Sequence, residues 1–155
     1  MSTLNTNTQK PRVGVGVLVF NAHNQILLGQ RLGSHGNLSW QPPGGHLEFN
    51  ESLENCVIRE AKEEVNIAIE DIEFIGMTND FFDDSDKHYI SIFMQARLAP
   101  NQQVKNCEPH KAKNWQWFAL NQLPSPLFLP LGKLIDRDGY GLKSLVFKTV
   151  EKQRA

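Results

Sequence analysis

One predicted helix constrains the fold of this chain, because acidic residues lie within its apolar face. The segment from Gly33 to Gly45 contains four glycines and two prolines, which predicts a shaped loop rather than regular structure. Beyond it, with Asn50 as the expected N-cap, the pattern predicts a helix that runs to about Val65. At 100° per residue, Glu60 and Glu64 fall inside the apolar stripe of this helix.

Acidic residues at these positions need a physical reason. A like-charged i,i+4 pair costs about 0.2 to 0.5 kcal/mol in water, and partial burial increases the cost. Glu63 lies on the adjacent flank, so three sets of oxygen donors converge, which suits a hard divalent cation such as Mg²⁺ or Mn²⁺. The alternative is a solvated acidic flank paired with Arg59 and Lys62, and the position of Glu60 and Glu64 in the stripe favours the metal.

The rest of the chain reads mainly as strands. Residues 13–20 alternate, and Gly14 and Gly16 leave one face bare, either for the approach of a ligand or for tight packing. Residues 26–30 form a second strand, expected to pair with the first as a hairpin. Further strands are predicted at residues 72–78 and 88–98 and around Trp115, Trp117 and Phe118, with a last helix at residues 131–137. The predicted class is mixed α and β.

Composition limits the size, partners and location of the protein. The 155 residues predict a single domain over residues 11–150, after a disordered tail at residues 1–10. Sixteen basic and seventeen acidic side chains provide no general attraction for nucleic acid or an anionic membrane, and no apolar run has the length of a membrane span. Two cysteines without metal-type spacing indicate free thiols in a reducing cytoplasm.

The run GHLEFNESLENCVIREAKEEVNI, residues 45–67, resembles the Nudix box, G-x5-E-x7-R-E-U-x-E-E-x-G-U, where U is apolar. Two positions depart from this pattern. Asn66 replaces a glycine, and Asn tolerates the left-handed conformation expected there. Ala61 is smaller than the apolar residue usual at its position, which concerns packing alone.

The resemblance implies an α/β/α sandwich with a mixed sheet, in which the glycine loop and the helix bind divalent ions that hold a diphosphate. It implies that Mg²⁺ or Mn²⁺ is bound by Glu60 and Glu64, by Glu63 directly or through water, and by the carbonyl of Gly44. Arg59 would orient Glu60 as part of the catalytic set, and the first box glutamate, Glu51, would support the site.

Outside the box, the chain is most similar to MutT-like nucleoside triphosphate diphosphatases, which release pyrophosphate and a monophosphate. This similarity implies a substrate site made of Gly14, Gly16, Arg31, Gln41, Gly45, Phe128 and Leu129. Gln41 would bond a base edge, Phe128 would stack on the base and Arg31 would reach phosphate. The alternatives are a satisfied loop amide, core packing and a surface arginine, respectively.

Several other residues near these motifs have candidate roles. Glu108 is a candidate for one more catalytic carboxylate; the alternative is that it fixes the conformation of its loop. His46 is a candidate phosphate contact; the alternative is a structural role. His110 and the acidic run at residues 80–86 are expected to be solvated.

Alternative functions stay open at this stage. The same metal site serves hydrolases of ADP-ribose or nucleotide sugars, and a silent nucleotide-sensing domain could retain the fold. The expected role is cleansing of the nucleotide pool, and the family makes a homodimer plausible. The sequence does not decide the preferred base, the choice between Mg²⁺ and Mn²⁺ or the number of metals.

Overall fold

The computed structural model describes residues 9–33 and 35–140, which form a sheet and two helices. Most of the predicted tail (residues 1–8) and the last ten residues of the predicted domain (141–150) lie outside this range. The predicted strands and helices are all present, with bounds that differ by a few residues. The elements are β1 (Arg12–Phe20), β2 (Gln25–Arg31), β3 (Trp40–Gln41), β4 (Gly44–His46), α1 (Leu53–Val65), β5 (Ile69–Phe82), β6 (Lys87–Leu98), β7 (Ala112–Ala119) and α2 (Leu129–Ile135).

The sheet is mixed. Its main path runs β3-β2-β1-β6-β5, with β4 pairing with β1 and β7 pairing with β2. β1 and β6 are parallel over nine residue pairs, and the other pairings are antiparallel. The predicted hairpin between β1 and β2 is present at the Phe20–Ile26 pair, although β2 forms most of its ladder with β7.

The two helices cover opposite faces of the sheet. Because side chains alternate along a strand, Val15, Val17 and Val19 of β1 share one face, and they belong to the core that contains Val57 and Ala61 of α1. Leu18 and Phe20 belong to the second core, which contains Leu131 and Leu134 of α2. This arrangement confirms the predicted mixed α and β class, with the sheet between two helices.

Three local predictions were wrong. The N-cap of α1 is Ser52, whose Oγ accepts the Asn55 N–H at 3.1 Å, whereas Asn50 has a left-handed φ of 64°. The glycine-rich segment is not wholly irregular, because β3 and β4 pair with β2 and β1. Asp80 is buried within β5, so only the later part of the acidic run is a loop.

The predicted end of α1 is confirmed. Asn66 adopts the left-handed conformation, with φ 55° and ψ 43°, and its N–H bonds to Lys62 O at 3.1 Å. In the described part of the chain, neither helix combines the length and the apolar character that crossing a membrane requires.

Candidate active site

Two glycines allow β4 to pack closely between β1 and α1. A Cβ on Gly44 would lie 2.3 Å from the carbonyl oxygen of Val15, which belongs to the neighbouring strand. A Cβ on Gly45 would lie 2.3 Å from Oε1 of Glu60. The glycines of the box therefore bring the backbone of β4 directly against the acidic face of α1.

Glu64 is the buried carboxylate of this site, with 5% of its surface exposed. Its Oε1 accepts the Gly44 N–H at 2.9 Å. Burial raises the pKa of Glu64 well above its ordinary value; the Gly44 bond lowers it, and the nearby carboxylates of Glu60 and Glu108 raise it further. A positive charge beside Glu64 would stabilise its ionised form.

Arg59 connects the other acidic side chains of the box. It pairs in a bidentate manner with Glu51, at 2.7 and 2.9 Å, and donates to Glu60 Oε1 at 2.8 Å. It also reaches Glu63 Oε2 at 3.3 Å and the carbonyl oxygen of His46 at 3.2 Å. The bonds from Arg59 lower the pKa of Glu51 to about 2. The predicted orienting contact between Arg59 and Glu60 is thus present in the geometry, and Glu63 lies on the exposed side.

The donor set fits a hard cation that shares its coordination with a substrate. Within residues 9–33 and 35–140, no group of three His, Cys, Asp or Glu side chains is spaced to hold a metal by itself. Mg²⁺ is usually bound by one or two carboxylates, with waters and substrate phosphates completing the shell. Glu60 and Glu64 offer such a pair, and coordination by them, by Glu63 and by the carbonyl of Gly44 stays a prediction.

Glu108 lies beside this acidic pair. The N–H of Cys107 donates to the carbonyl oxygen of Glu64 at 2.9 Å, which attaches the loop to the end of α1. Lys111 Nζ contacts Glu108 at 3.2 Å, and the pKa of Lys111 is raised by Glu108 first and also by Glu60 and Glu64. Lys111 is therefore a basic residue of the site that sequence reasoning missed.

The predicted substrate residues Arg31, Gln41 and Phe128 lie together. Arg31 Nη1 donates to Gln41 Oε1 at 2.5 Å, and its guanidinium carbon lies 4.0 Å from the centre of the Phe128 ring. Leu129, which follows Phe128, is 40% exposed. The side-chain oxygen of Gln41 is thus bonded to Arg31, and contact of Gln41 with a base edge stays a prediction.

The glycines of β1 differ in the space around them. A Cβ on Gly16 would meet the Phe93 ring at 3.3 Å and Pro42 at 3.4 Å, so this position is tightly packed. A Cβ on Gly14 would have only ordinary contacts, the nearest being Tyr89 at 3.8 Å. Tight packing thus accounts for Gly16, and the approach of a ligand at Gly14 stays a prediction.

An aromatic cluster adjoins these residues, and sequence reasoning identified only one of its members. We call it the ring cluster; it consists of His35, Phe82, Tyr89 and Phe128. Phe82 stacks on Phe128 at 5.5 Å, and His35 stacks on Tyr89 at 5.5 Å. Of the three members that were missed, Phe82 and Tyr89 belong to the β5–β6 hairpin and His35 belongs to the glycine-rich loop, which is distant from that hairpin in sequence.

Cationic side chains surround this region. The pKa of His46 is lowered by burial and then by four basic groups, Arg12, Lys87, Lys111 and Arg31. His46 Nε2 lies 2.9 Å from the Tyr89 hydroxyl. A cavity of about 770 Å³ opens beside the ring cluster, with Phe82, Tyr89, Arg12 and Lys87 in its lining. A polyanion with an aromatic end matches this combination of charge and rings.

A mixed sheet between two helices, with buried Glu64 and partly buried Glu60 against a glycine loop and cations around an aromatic cluster, is the arrangement expected of a hydrolase of phosphorus anhydrides. A family model described as the NUDIX domain matches residues 10–137. The chain belongs to the Nudix family and is of the MutT-like type.

Solved structures support this assignment. A MutT NUDIX hydrolase from Burkholderia pseudomallei is 29% identical, with a TM-score of 0.71, over 77% of this chain and 92% of that one. A MutT protein from Methanosarcina mazei Go1 is 22% identical, with a TM-score of 0.68, over 84% and 94%. The NUDIX domain of Shewanella oneidensis NrtR, solved with ADP ribose, is 20% identical, with a TM-score of 0.67, over 86% and 90%. The last two show the fold alone.

Proposed function

We propose that this protein is a divalent-metal-dependent pyrophosphohydrolase that converts nucleoside or deoxynucleoside triphosphates to monophosphates and pyrophosphate. The observation that carries the proposal is the placement of Glu60 and Glu64 against β4, close to Lys111 and the other cations that surround His46. Such a site can hold both a metal and a chain of phosphates. Removal of unwanted nucleotides from the pool is the proposed role.

The residues of the chain have distinct tasks in this proposal. Glu60 and Glu64 would hold Mg²⁺ or Mn²⁺, and Arg59 keeps Glu60 in one orientation through the 2.8 Å bond. The bound ion would offset phosphate charge and favour the hydroxide form of a water. Glu108, which is adjacent to Glu64, is the proposed acceptor of the proton from that water. The basic side chains would bind the leaving pyrophosphate.

ADP-ribose is the competing substrate. The NrtR domain, which has the same fold, was solved with ADP ribose. A domain that senses nucleotides without turnover is disfavoured, because Glu51, Glu60, Glu63 and Glu64 are all present with Arg59 among them.

The remaining expectations form part of the same proposal. The two cysteines, Cys56 and Cys107, are unpaired, which supports a reducing cytoplasmic location. The substrate is a small nucleotide rather than nucleic acid, in keeping with the formal charge of −1. A homodimer remains a proposal based on the family.

The test is a product assay over a panel of triphosphates and ADP-ribose. We expect pyrophosphate from triphosphates in Mg²⁺, no turnover with chelator, and recovery when Mg²⁺ or Mn²⁺ is restored. Turnover confined to ADP-ribose would overturn the triphosphate assignment. Full activity in chelator would overturn the metal site as well.

A further inference from the structure

Buried Asp80 and partly exposed Lys133 form a charged pair that the proposed chemistry does not use. Asp80 has no exposed surface, and its Oδ2 accepts the Thr78 hydroxyl at 2.8 Å. Its Oδ1 has no hydrogen-bond partner, although Lys133 Nζ lies 3.6 Å away. Lys133 donates to the carbonyl oxygen of Asn79 instead.

Strand register places Asp80 next to the ring cluster. Asp80 is directly opposite Tyr89 in the β5–β6 ladder, and opposite residues of an antiparallel pair point to the same face. Thr78, Asp80 and Phe82 are buried at alternate positions of β5 and so share that face. Because Phe82 stacks on Phe128, the carboxyl group of Asp80 lies beside the aromatic surface proposed to hold the base.

A purely structural tie between β5 and α2 explains only part of this geometry. Such a tie accounts for the closeness of the two charges and for the bond to Asn79. It leaves one buried carboxylate oxygen unbonded, which normally costs free energy. An ammonium group has three donors, and the bond to Asn79 uses one of them. The pair thus offers a free acceptor beside available donors.

We propose that Asp80 and Lys133 read the edge of the nucleobase, an inference that rests on the proposed function. Oδ1 of Asp80 would accept a ring N–H, and Nζ of Lys133 would donate to the neighbouring carbonyl oxygen. Bases in which a ring N–H is adjacent to a C=O present this pattern; they are the oxo-bases, such as guanine, hypoxanthine and uracil. Adenine and cytosine have an unprotonated ring nitrogen beside an amino group, which reverses donor and acceptor.

The base needs a route to the buried carboxylate of Asp80. Phe128 is only half-buried, and the guanidinium of Arg31 lies on its face. For the base to reach Asp80 from the cavity that Phe82 lines, the Phe128 ring would have to rotate away from Phe82. Stacking on either ring then holds the base while its edge is read.

Inosine monophosphate and adenosine monophosphate provide the test, because they differ at this edge and lack the anhydride that the enzyme would cleave. We would measure their binding to the full chain by calorimetry, in the unchanged protein, in Asp80→Asn and in the control Asp71→Asn, an exposed position on the same strand. In the unsubstituted protein and in Asp71→Asn, we expect inosine monophosphate to bind at least about tenfold more tightly than adenosine monophosphate. Asp80→Asn should bring the ratio close to one.

Equal binding of the two nucleotides, no binding of either, or an unchanged ratio in Asp80→Asn would overturn the inference. A structural role would weaken both ligands together and leave their ratio intact. If melting curves show that Asp80→Asn does not fold, Lys133→Gln is measured in its place, and its ratio should also fall. Hydrolysis of inosine and adenosine triphosphates is assayed separately. A preference for inosine monophosphate that Asp80→Asn abolishes, together with no triphosphate turnover, would reject the proposed function and retain this inference.

Discussion

Adding one methyl group at Gly45 should disable the site while leaving the fold in place. In Gly45→Ala, the new Cβ would lie 2.3 Å from Oε1 of Glu60, where ordinary contacts begin at 3.4 Å. The carboxylate is the mobile end of a side chain, so it moves while the backbone remains. Its displacement also disturbs the 2.8 Å bond from Arg59.

The size of the effect follows from these distances. Relief of the overlap requires Glu60 to shift by about 1 Å, and a shift of this size at a catalytic group costs roughly 100-fold in rate. That factor corresponds to about 2.7 kcal/mol of transition-state stabilisation. Unfolding should change little, because a partly exposed ion pair contributes about 1 kcal/mol or less.

The assay is pyrophosphate release at saturating and limiting triphosphate, with thermal melting of the same samples. Gly132→Ala is the matched control, since its new Cβ would approach Leu127 only to 3.9 Å. Gly44→Ala is the opposite case: its Cβ would lie 2.3 Å from the backbone oxygen of Val15, so it should lose stability as well as activity. Wild-type kcat/KM in Gly45→Ala would refute the placement of Glu60 in the site.

Three further substitutions test the surrounding groups. Glu64→Gln should abolish turnover and, in chelator, raise the melting temperature at neutral pH, because burial raises the pKa of Glu64 and its ionisation opposes folding above the ordinary carboxyl pKa of 4.5. The melting difference should shrink as pH falls below that value. Glu51→Gln should lower kcat by releasing Arg59. Because Arg59 lowers the pKa of Glu51 to about 2, the stability that Glu51 provides should be lost as pH falls from 4.5 towards 2. Phe128→Ala should raise KM about tenfold or more through lost stacking.

For each of these variants, one result would contradict the reasoning behind the prediction. Measurable metal-dependent turnover in Glu64→Gln would remove that residue from the catalytic set. An acid unfolding profile of Glu51→Gln that parallels the unchanged protein would show that the pair with Arg59 does not support the fold. An unaltered KM in Phe128→Ala would favour the core-packing interpretation of that ring.

The acidic helix was predictable because the information for it is local. The spacing of Glu60 and Glu64 within one helix already implies a shared face, and Asn66 at its end adopts the expected left-handed conformation. The cap was misassigned because two candidate residues precede the helix. Asn50 lies in a left-handed turn, so Ser52 is the residue with the extended backbone that capping requires.

The ring cluster was not predictable in the same way, because its members meet through strand register. Phe82 and Tyr89 lie on one hairpin, but His35 and Phe128 come from distant segments, and no spacing in the sequence implies that they meet it. One signal for Asp80 was nevertheless local: Thr78 and Phe82 continue the alternation of β5 on either side of it, which implies that Asp80 faces inwards. The assignment of Asp80 to a solvated acidic run was wrong because it relied on the charge of the run and not on the alternation of buried residues along the strand. A carboxylate in phase with a buried strand, like the glutamates of α1, is better treated as a candidate for ligand contact until a partner is found.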